Sequence, residues 1–211
     1  MDTPIKVLLT GFEPFGRKTT NPSQEVVSLL APQSFAEIEL STKILPVAYQ
    51  PAMDKIRALT ARYDYILMTG VAWSRKEICI ERMAINLMDA TRKDNNGFCP
   101  TDIPIRSDSP TAYFSNAPIK QMLAAIHDTR NPCKISNSAG TYVCNAVYYA
   151  ALDEIANRHL PTKAVFIHLP SDECLSVLSM AEAIKAALNI WVRSTGDVGL
   201  SQVGKIVIRK S

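Results

Sequence analysis

KVLLTG, residues 6–11, decides how the rest of the chain is read. Its apolar centre, Val7, Leu8 and Leu9, is short and is halted by Gly11, which predicts a buried strand over Lys6–Thr10. YILMTG, residues 65–70, has the same form, an apolar run from Tyr65 to Thr69 closed by Gly70. Between them, Asn21-Pro22-Ser23-Gln24 has the grammar of a helix start. Asn stands at the cap, Pro at the first position and Gln where a capping box places it. That helix should carry Val26, Val27, Leu29 and Leu30 to about Pro32. Glu37–Leu45 alternates through Ile38, Leu40 and Ile44, as a half-buried strand does. A second helix is expected from Pro51, with Met53, Ile56 and Leu59 turned inward. Helices between apolar strands that end in glycine predict an α/β fold around a mainly parallel sheet.

Outward from this core the rhythm changes. KEICIERMAINLMDA (76–90) allows one or two strands, and DNNGFCPTDIPIRSDSP (94–110) is turn chemistry. An excursion this long, reaching to Pro118, points to an elaborated active-site region or a subunit contact. A helix should follow from Pro118 through Leu123, Ile126 and His127, then a weak strand at Cys133–Ser136. KAVFIHL (163–169) is the last strong strand. Ser179-Met180-Ala181-Glu182 reads as a capping box opening a helix through Ile184, Ala187, Leu188 and Trp191. The tail KIVIRKS (205–211) alternates, as an edge strand or a free end would. With no repeat, linker or low-complexity tract, residues 1–211 read as one domain.

The composition excludes several classes. Across 211 residues, 47% are hydrophobic and 20% charged, ordinary values for a globular chain with a sizeable core. The net charge of +3, with no run of Lys and Arg, gives no nucleic-acid footprint. GFEPFG is not a G-x-G-x-x-G fingerprint, so no dinucleotide cofactor is expected. Cysteines at 79, 99, 133, 144 and 174 are odd in number and lack a C-x-x-C pair. That argues against a disulfide framework and a structural zinc site, and no metal is expected. The start, with Asp2 and a short apolar run, makes a poor signal peptide, and no stretch reads as a membrane span. A reducing cytoplasm is the expected setting.

Chemistry concentrates in SNSAGTYVCNAVYYAA (136–151). Ser136–Thr141 suits a loop, Gly140 permits angles other residues resist, and Val143, Val147, Ala150 and Ala151 then fall on one side of a helix. Cys144 is thereby placed in a first helical turn. Unpaired N–H groups and the positive dipole end favour an anion there, so the thiol should ionise readily and alkylate fast below pH 7. Of three histidines, His127 and His159 read as structural. His168 closes a strand that delivers its last residues to the crevice where α/β enzymes bind ligands. Cys144 and His168, each beyond a strand's carboxyl end, can meet at one rim as an activated nucleophile and its base. Glu81, Asn86, Asp89 and Asp172 are all candidates to orient the imidazole, and Glu81, beside Arg82, reads by default as a solvated charge.

Several segments together resemble the pyroglutamyl peptidase I family of cysteine peptidases, over roughly Val7 to Ala187. Gly11-Phe12-Glu13-Pro14-Phe15-Gly16 with Asn21-Pro22-Ser23 is similar to its N-terminal signature. Ile80-Glu81-Arg82-Met83-Ala84-Ile85-Asn86 is similar to the segment bearing its glutamate. Ala139-Gly140-Thr141-Tyr142-Val143-Cys144-Asn145 resembles the nucleophile segment, and Phe166-Ile167-His168-Leu169-Pro170 the histidine strand. The resemblance implies a three-layer α/β/α sandwich, a cytoplasmic homotetramer and N-terminally pyroglutamylated peptides as substrates. It makes Cys144 the nucleophile, His168 the base and acid, and Glu81 the partner of His168. Phe12 and Phe15 become walls for the lactam ring, Val71 a backbone contact, and Tyr142 and Val143 pocket lining, with Asn21 and Arg92 serving the site. The chain departs from the family pattern at Trp73-Ser74, where two glycines are usual. It also carries Thr91 ahead of Arg92, and Tyr142 where Phe is usual. The competing readings are a noncatalytic binding relative, a different enzyme class on a similar scaffold such as a nucleoside phosphorylase and, closer, a thiol hydrolase of another cyclic amide. For the phosphorylase, no phosphate site of Gly-rich turns and Arg residues is found.

Overall fold

KVLLTG lies within the first strand, β1 (Ile5–Phe12), of a computed structural model that describes residues 4–35 and 37–196. Then come α1 (Pro22–Leu30), β2 (Ile38–Leu45), α2 (Tyr49–Thr60) and β3 (Tyr65–Val71). The excursion carries three short strands, β4 (Ile78–Glu81), β5 (Met83–Ile85) and β6 (Ala112–Phe114). The order closes with α3 (Ile119–Asp128), β7 (Cys133–Ser136), α4 (Val143–Asn157), β8 (Lys163–Leu169) and α5 (Val177–Gly196).

Six strands form one sheet in the order β2-β1-β3-β8-β4-β7, while β5 and β6 pair separately. β2, β1, β3 and β8 run parallel. β4 runs antiparallel to β8 and parallel to β7, so the sheet is mainly rather than wholly parallel. Alternate residues feed opposite layers, as the strand period requires. Val7, Leu9, Leu67, Val165 and Ile167 pack toward α1, α3 and α5; Leu8, Ile66, Met68 and Phe166 pack toward α2 and α4. The result is an α/β/α sandwich.

Three expectations change in detail. Gly11 and Gly70 do not stop their strands, which run on to Phe12 and Val71. A Cβ on Gly11 would sit 2.5 Å from the Ser23 carbonyl oxygen, so glycine is there for a close approach to the start of α1. α2 begins at Tyr49, ahead of Pro51, and α5 begins at Val177, ahead of the expected capping box. Ser176 supplies the α5 cap instead, its Oγ accepting from the Ser179 N–H at 3.1 Å. The tail 205–211 lies outside the described residues.

α4 is buried nearly all round rather than on one side. One flank meets the sheet and the other lies beneath the excursion, which it pins with polar side chains. Asn145 Oδ1 accepts from the Ile85 N–H, and its Nδ2 donates to the carbonyls of Ile85 and Leu87. Buried Asp153 accepts from Arg106 Nη1, Ser109 Oγ and the Tyr113 hydroxyl at 2.7–3.1 Å. Buried polar groups matched in this way fix a loop, whereas unmatched ones would destabilise it.

Candidate active site

The site is assembled by strand register. His168, next to last in β8, pairs with Gly70 of β3 on one side and with Cys79 of β4 on the other. A Cβ on Gly70 would lie 2.8 Å from Cys144 Sγ and 2.9 Å from the Phe166 ring. Glycine therefore opens the space into which the thiol settles, at the level of His168. Because β4 is antiparallel to β8, Glu81 pairs with Phe166 and faces the same side as His168, two residues away along the strand. Glu81 Oε1 accepts from His168 Nδ1 at 2.7 Å. Both side chains are buried, Glu81 completely.

This corrects the reading of Glu81 as a solvated charge: β4 lies inside the sheet, between β8 and β7, and all four of its residues are buried. Of the other candidates, Asn86 is engaged with Arg106 and Ser109 in the excursion. Asp89 and Asp172 are exposed. The route to Cys144 also differs from the expected one. β7 runs parallel to β4, so Ser136 ends level with Glu81, and the loop 137–142 carries the chain back over Gly70. Gly140 makes that return with φ of +80°.

Electrostatics set the resting protonation. Burial lowers the His168 pKa below its ordinary value; the Glu81 hydrogen bond and charge oppose this, while Arg75 adds to it. Burial pushes the Cys144 thiol up to about 12, with Glu81 adding to the shift and Arg75 and the local backbone N–H resisting it. Burial thus favours the thiol at Cys144 and the neutral imidazole at His168, two side chains that line the same cleft. That desolvation opposes the thiolate expected from the helix start.

Sequence reasoning missed Arg75. Its Nη1 hydrogen-bonds Glu81 Oε1, the oxygen that also serves His168, and its Nη2 donates to the Ser138 carbonyl at 3.0 Å. Burial works against the guanidinium's charge, but Glu81 outweighs it and raises the Arg75 pKa. The available signal was an arginine in a turn between two apolar strands, six residues ahead of an acid in the second. Only the register shows that this acid points inward.

Beside the thiol is an apolar slot of about 30 Å³, lined by Phe12, Phe15, Asn21, Val47, Val71, Tyr142, Val143 and Cys144. It opens to a cleft of about 650 Å³ bordered by Trp73, Arg75, Arg92, Thr141 and His168. Half-buried Phe15 and Tyr142, whose ring centroids are 6.2 Å apart, both line the slot. The Tyr142 hydroxyl donates to the Lys93 carbonyl at 3.0 Å, which gives it a partner outside the slot. Asn21 spends its side chain on the cap and on the Glu13 carbonyl, so it touches the slot while holding the loop in place. Arg92 faces the cleft and is exposed.

The other histidines are not near this centre. His127 Nε2 pairs with the Cys133 carbonyl at 2.8 Å, and His159 takes φ of +51° just past α4. Among the described residues, no group of three or more His, Cys, Asp or Glu is placed to hold a metal ion.

Comparison with known proteins follows this geometry. Residues 5–185 match the family model described as pyroglutamyl peptidase. The chain is 44% identical over 168 residues to a pyrrolidone-carboxylate peptidase of Thermococcus onnurineus, covering 79% of this chain and 84% of that protein. It is 37% identical over 204 residues to pyrrolidone-carboxylate peptidase 1 of Caldanaerobacter subterraneus, covering 90% and 99%. The crystal structure of Bacillus amyloliquefaciens pyroglutamyl peptidase I superposes with a TM-score of 0.85 at 34% identity, covering 90% of this chain and 97% of that one.

Proposed function

The chain belongs to the pyroglutamyl peptidase family, and on that premise we propose that Cys144, His168 and Glu81 are its catalytic groups. It is a cysteine peptidase of the pyroglutamyl-peptidase I type, which removes an N-terminal pyroglutamyl residue from peptides. The observation that carries the residue assignment is the buried Glu81–His168 hydrogen bond, on the rim where Gly70 makes room for the Cys144 sulfur.

With Nδ1 donating to Glu81, the imidazole keeps its lone pair on Nε2. Nε2 takes the thiol proton as Cys144 Sγ attacks the pyroglutamyl carbonyl carbon, so a resting thiol is no obstacle. The oxyanion that forms is met by N–H groups at the start of α4, which has no side-chain cap. His168 returns the proton to the leaving amine. A water then adds to the thioester, gives its proton to His168, and releases pyroglutamate with the thiol restored.

Recognition needs no acid, because a lactam carries no free amine. Phe12 and Phe15 offer flat apolar walls, Val71 its backbone, and Tyr142 and Val143 the remaining lining, with Asn21 holding the loop and Arg92 facing the peptide beyond. The proposal takes residues 1–211 as a single catalytic domain. It includes assembly as a homotetramer, which exposed Phe98, Ile103, Phe114 and Leu178 would suit. It also includes a cytoplasmic location, which five free cysteines favour. No helix among the described residues is long and apolar enough to cross a membrane.

The test is release of a fluorophore from a pyroglutamyl amide but not from the matching prolyl amide, abolished in Cys144→Ala. Unchanged turnover in that variant eliminates the thiol mechanism. Binding of pyroglutamate without any turnover by the wild type identifies a binding protein instead.

A further inference from the structure

Arg75 reaches the centre from a turn that carries none of the three proposed catalytic groups. Its half-buried guanidinium lies against Glu81, the Ser138 carbonyl and Cys79 there. Nη1 bonds the Glu81 oxygen that already accepts from His168, and Nη2 bonds the Ser138 carbonyl in the loop that returns to Cys144. One rigid planar group therefore joins the acid of β4 to the approach of the nucleophile. We propose that Arg75 is a positioning residue for the reaction: it fixes the Glu81 carboxylate against His168, balances its charge, and fastens the loop that delivers Cys144.

The balance follows from what surrounds the imidazole. β4 contributes Glu81 and Cys79, α4 contributes Cys144, and the turn after β3 contributes Arg75. Tyr148 of α4 adds a hydroxyl that donates to the Glu81 carbonyl at 3.2 Å. A fully buried carboxylate beside an imidazole, with nothing to oppose it, draws a proton onto the ring. An imidazolium cannot accept the proton of Cys144. Burial already opposes the ring's charge and Arg75 adds to that opposition, so without Arg75 His168 holds its proton to higher pH.

This inference rests on the Cys144–His168–Glu81 reading, and its test separates the two. Wild type, Arg75→Met and Arg75→Lys are compared in kcat and KM on the pyroglutamyl amide across pH. In the free enzymes the His168 ring proton is titrated by NMR, which is tractable with three histidines in the chain. Arg75→Met should lower kcat about tenfold or more while KM moves less than about threefold. Its acid limb and its His168 titration should both move to higher pH. Arg75→Lys keeps the charge, so its limb should stay near the wild-type position and part of kcat should return. Where Arg75→Met does not fold, Arg75→Gln, which keeps a donor but no charge, carries the same expected shift. A limb and titration unmoved in the uncharged variant, or equal losses in the Met and Lys variants with the limb in place, overturn the proposal. A wild type that does not turn over the pyroglutamyl amide overturns the triad reading instead.

Discussion

Helices α1 and α4 both begin at the rim of the apolar slot, and their first turns are built in opposite ways. At α1, Asn21 Oδ1 accepts from the Ser23 N–H and the Ser23 hydroxyl, while Asn21 Nδ2 donates to the Glu13 carbonyl. Ser23 Oγ in turn accepts from the Phe12 N–H at 3.0 Å. This terminus is satisfied from within, and in being satisfied it holds the Phe12–Phe15 loop. At α4 the capping position is Tyr142, which offers its helix no side-chain acceptor. Helix geometry leaves the first N–H groups of α4, those of Val143, Cys144 and Asn145, without intrahelical acceptors. Both helices carry the same dipole, so the dipole does not distinguish them. The cap does: one terminus is closed and holds a wall of the slot, and the other is left without a side-chain cap, as the proposed mechanism requires for a charge that exists only during the reaction.

The largest way to test that contrast is to remove the sulfur. Cys144→Ala should fold like the wild type and lose about 10⁵-fold or more in kcat on a pyroglutamyl amide, measured by fluorophore release. Next is to cap the open terminus. Tyr142→Asp places an acceptor and a negative charge where the oxyanion should form, and kcat should fall about 10²-fold in steady-state assays. Wild-type kcat in that variant would mean that the α4 N–H groups play no part.

Alkylation of Cys144 sharpens the comparison further, because it asks whether the open terminus ionises the thiol at rest. With burial holding the thiol far above neutrality, the iodoacetamide rate should be low at pH 7. It should climb about tenfold per pH unit across the neutral and mildly alkaline range, without a plateau. A plateau below pH 7 would restore the thiolate that the sequence led us to expect. The smallest effect belongs to α1. Asn21→Ala should cost about 1 kcal/mol, seen as a melting temperature lower by about 3 °C. KM should rise a few-fold as the Phe15 loop loosens, with kcat little changed.

How much of this was readable in the chain follows the same division. The α1 cap lies in four consecutive residues and needs no tertiary knowledge. The strands β1, β3 and β8 announce themselves by apolar runs, because burial on both faces leaves no alternation. The nucleophile helix was legible through Gly140 and the change of pattern after it. The partnership of Glu81 with His168 was not legible from local pattern, since it depends on β4 turning antiparallel after a loop, a choice made by the sheet as a whole. The family resemblance pointed to Glu81 where local physics could not. Arg75 escaped both routes, its role resting on which way a single buried carboxylate faces. Asn145 and Asp153 were likewise silent, because a polar residue in an apolar helix reveals its purpose only when the covering loop is in place.

The central claim is that the Cys144 sulfur itself carries the pyroglutamyl group. The direct measurement uses an activated pyroglutamyl ester, which acylates faster than it hydrolyses, with acid quenching and mass spectrometry of the digested enzyme. The account expects one pyroglutamyl group per active site on the peptide containing Cys144, formed during an initial burst and absent from Cys144→Ala. An enzyme quenched in mid-turnover with Cys144 unmodified, or with the group on another residue, would contradict it.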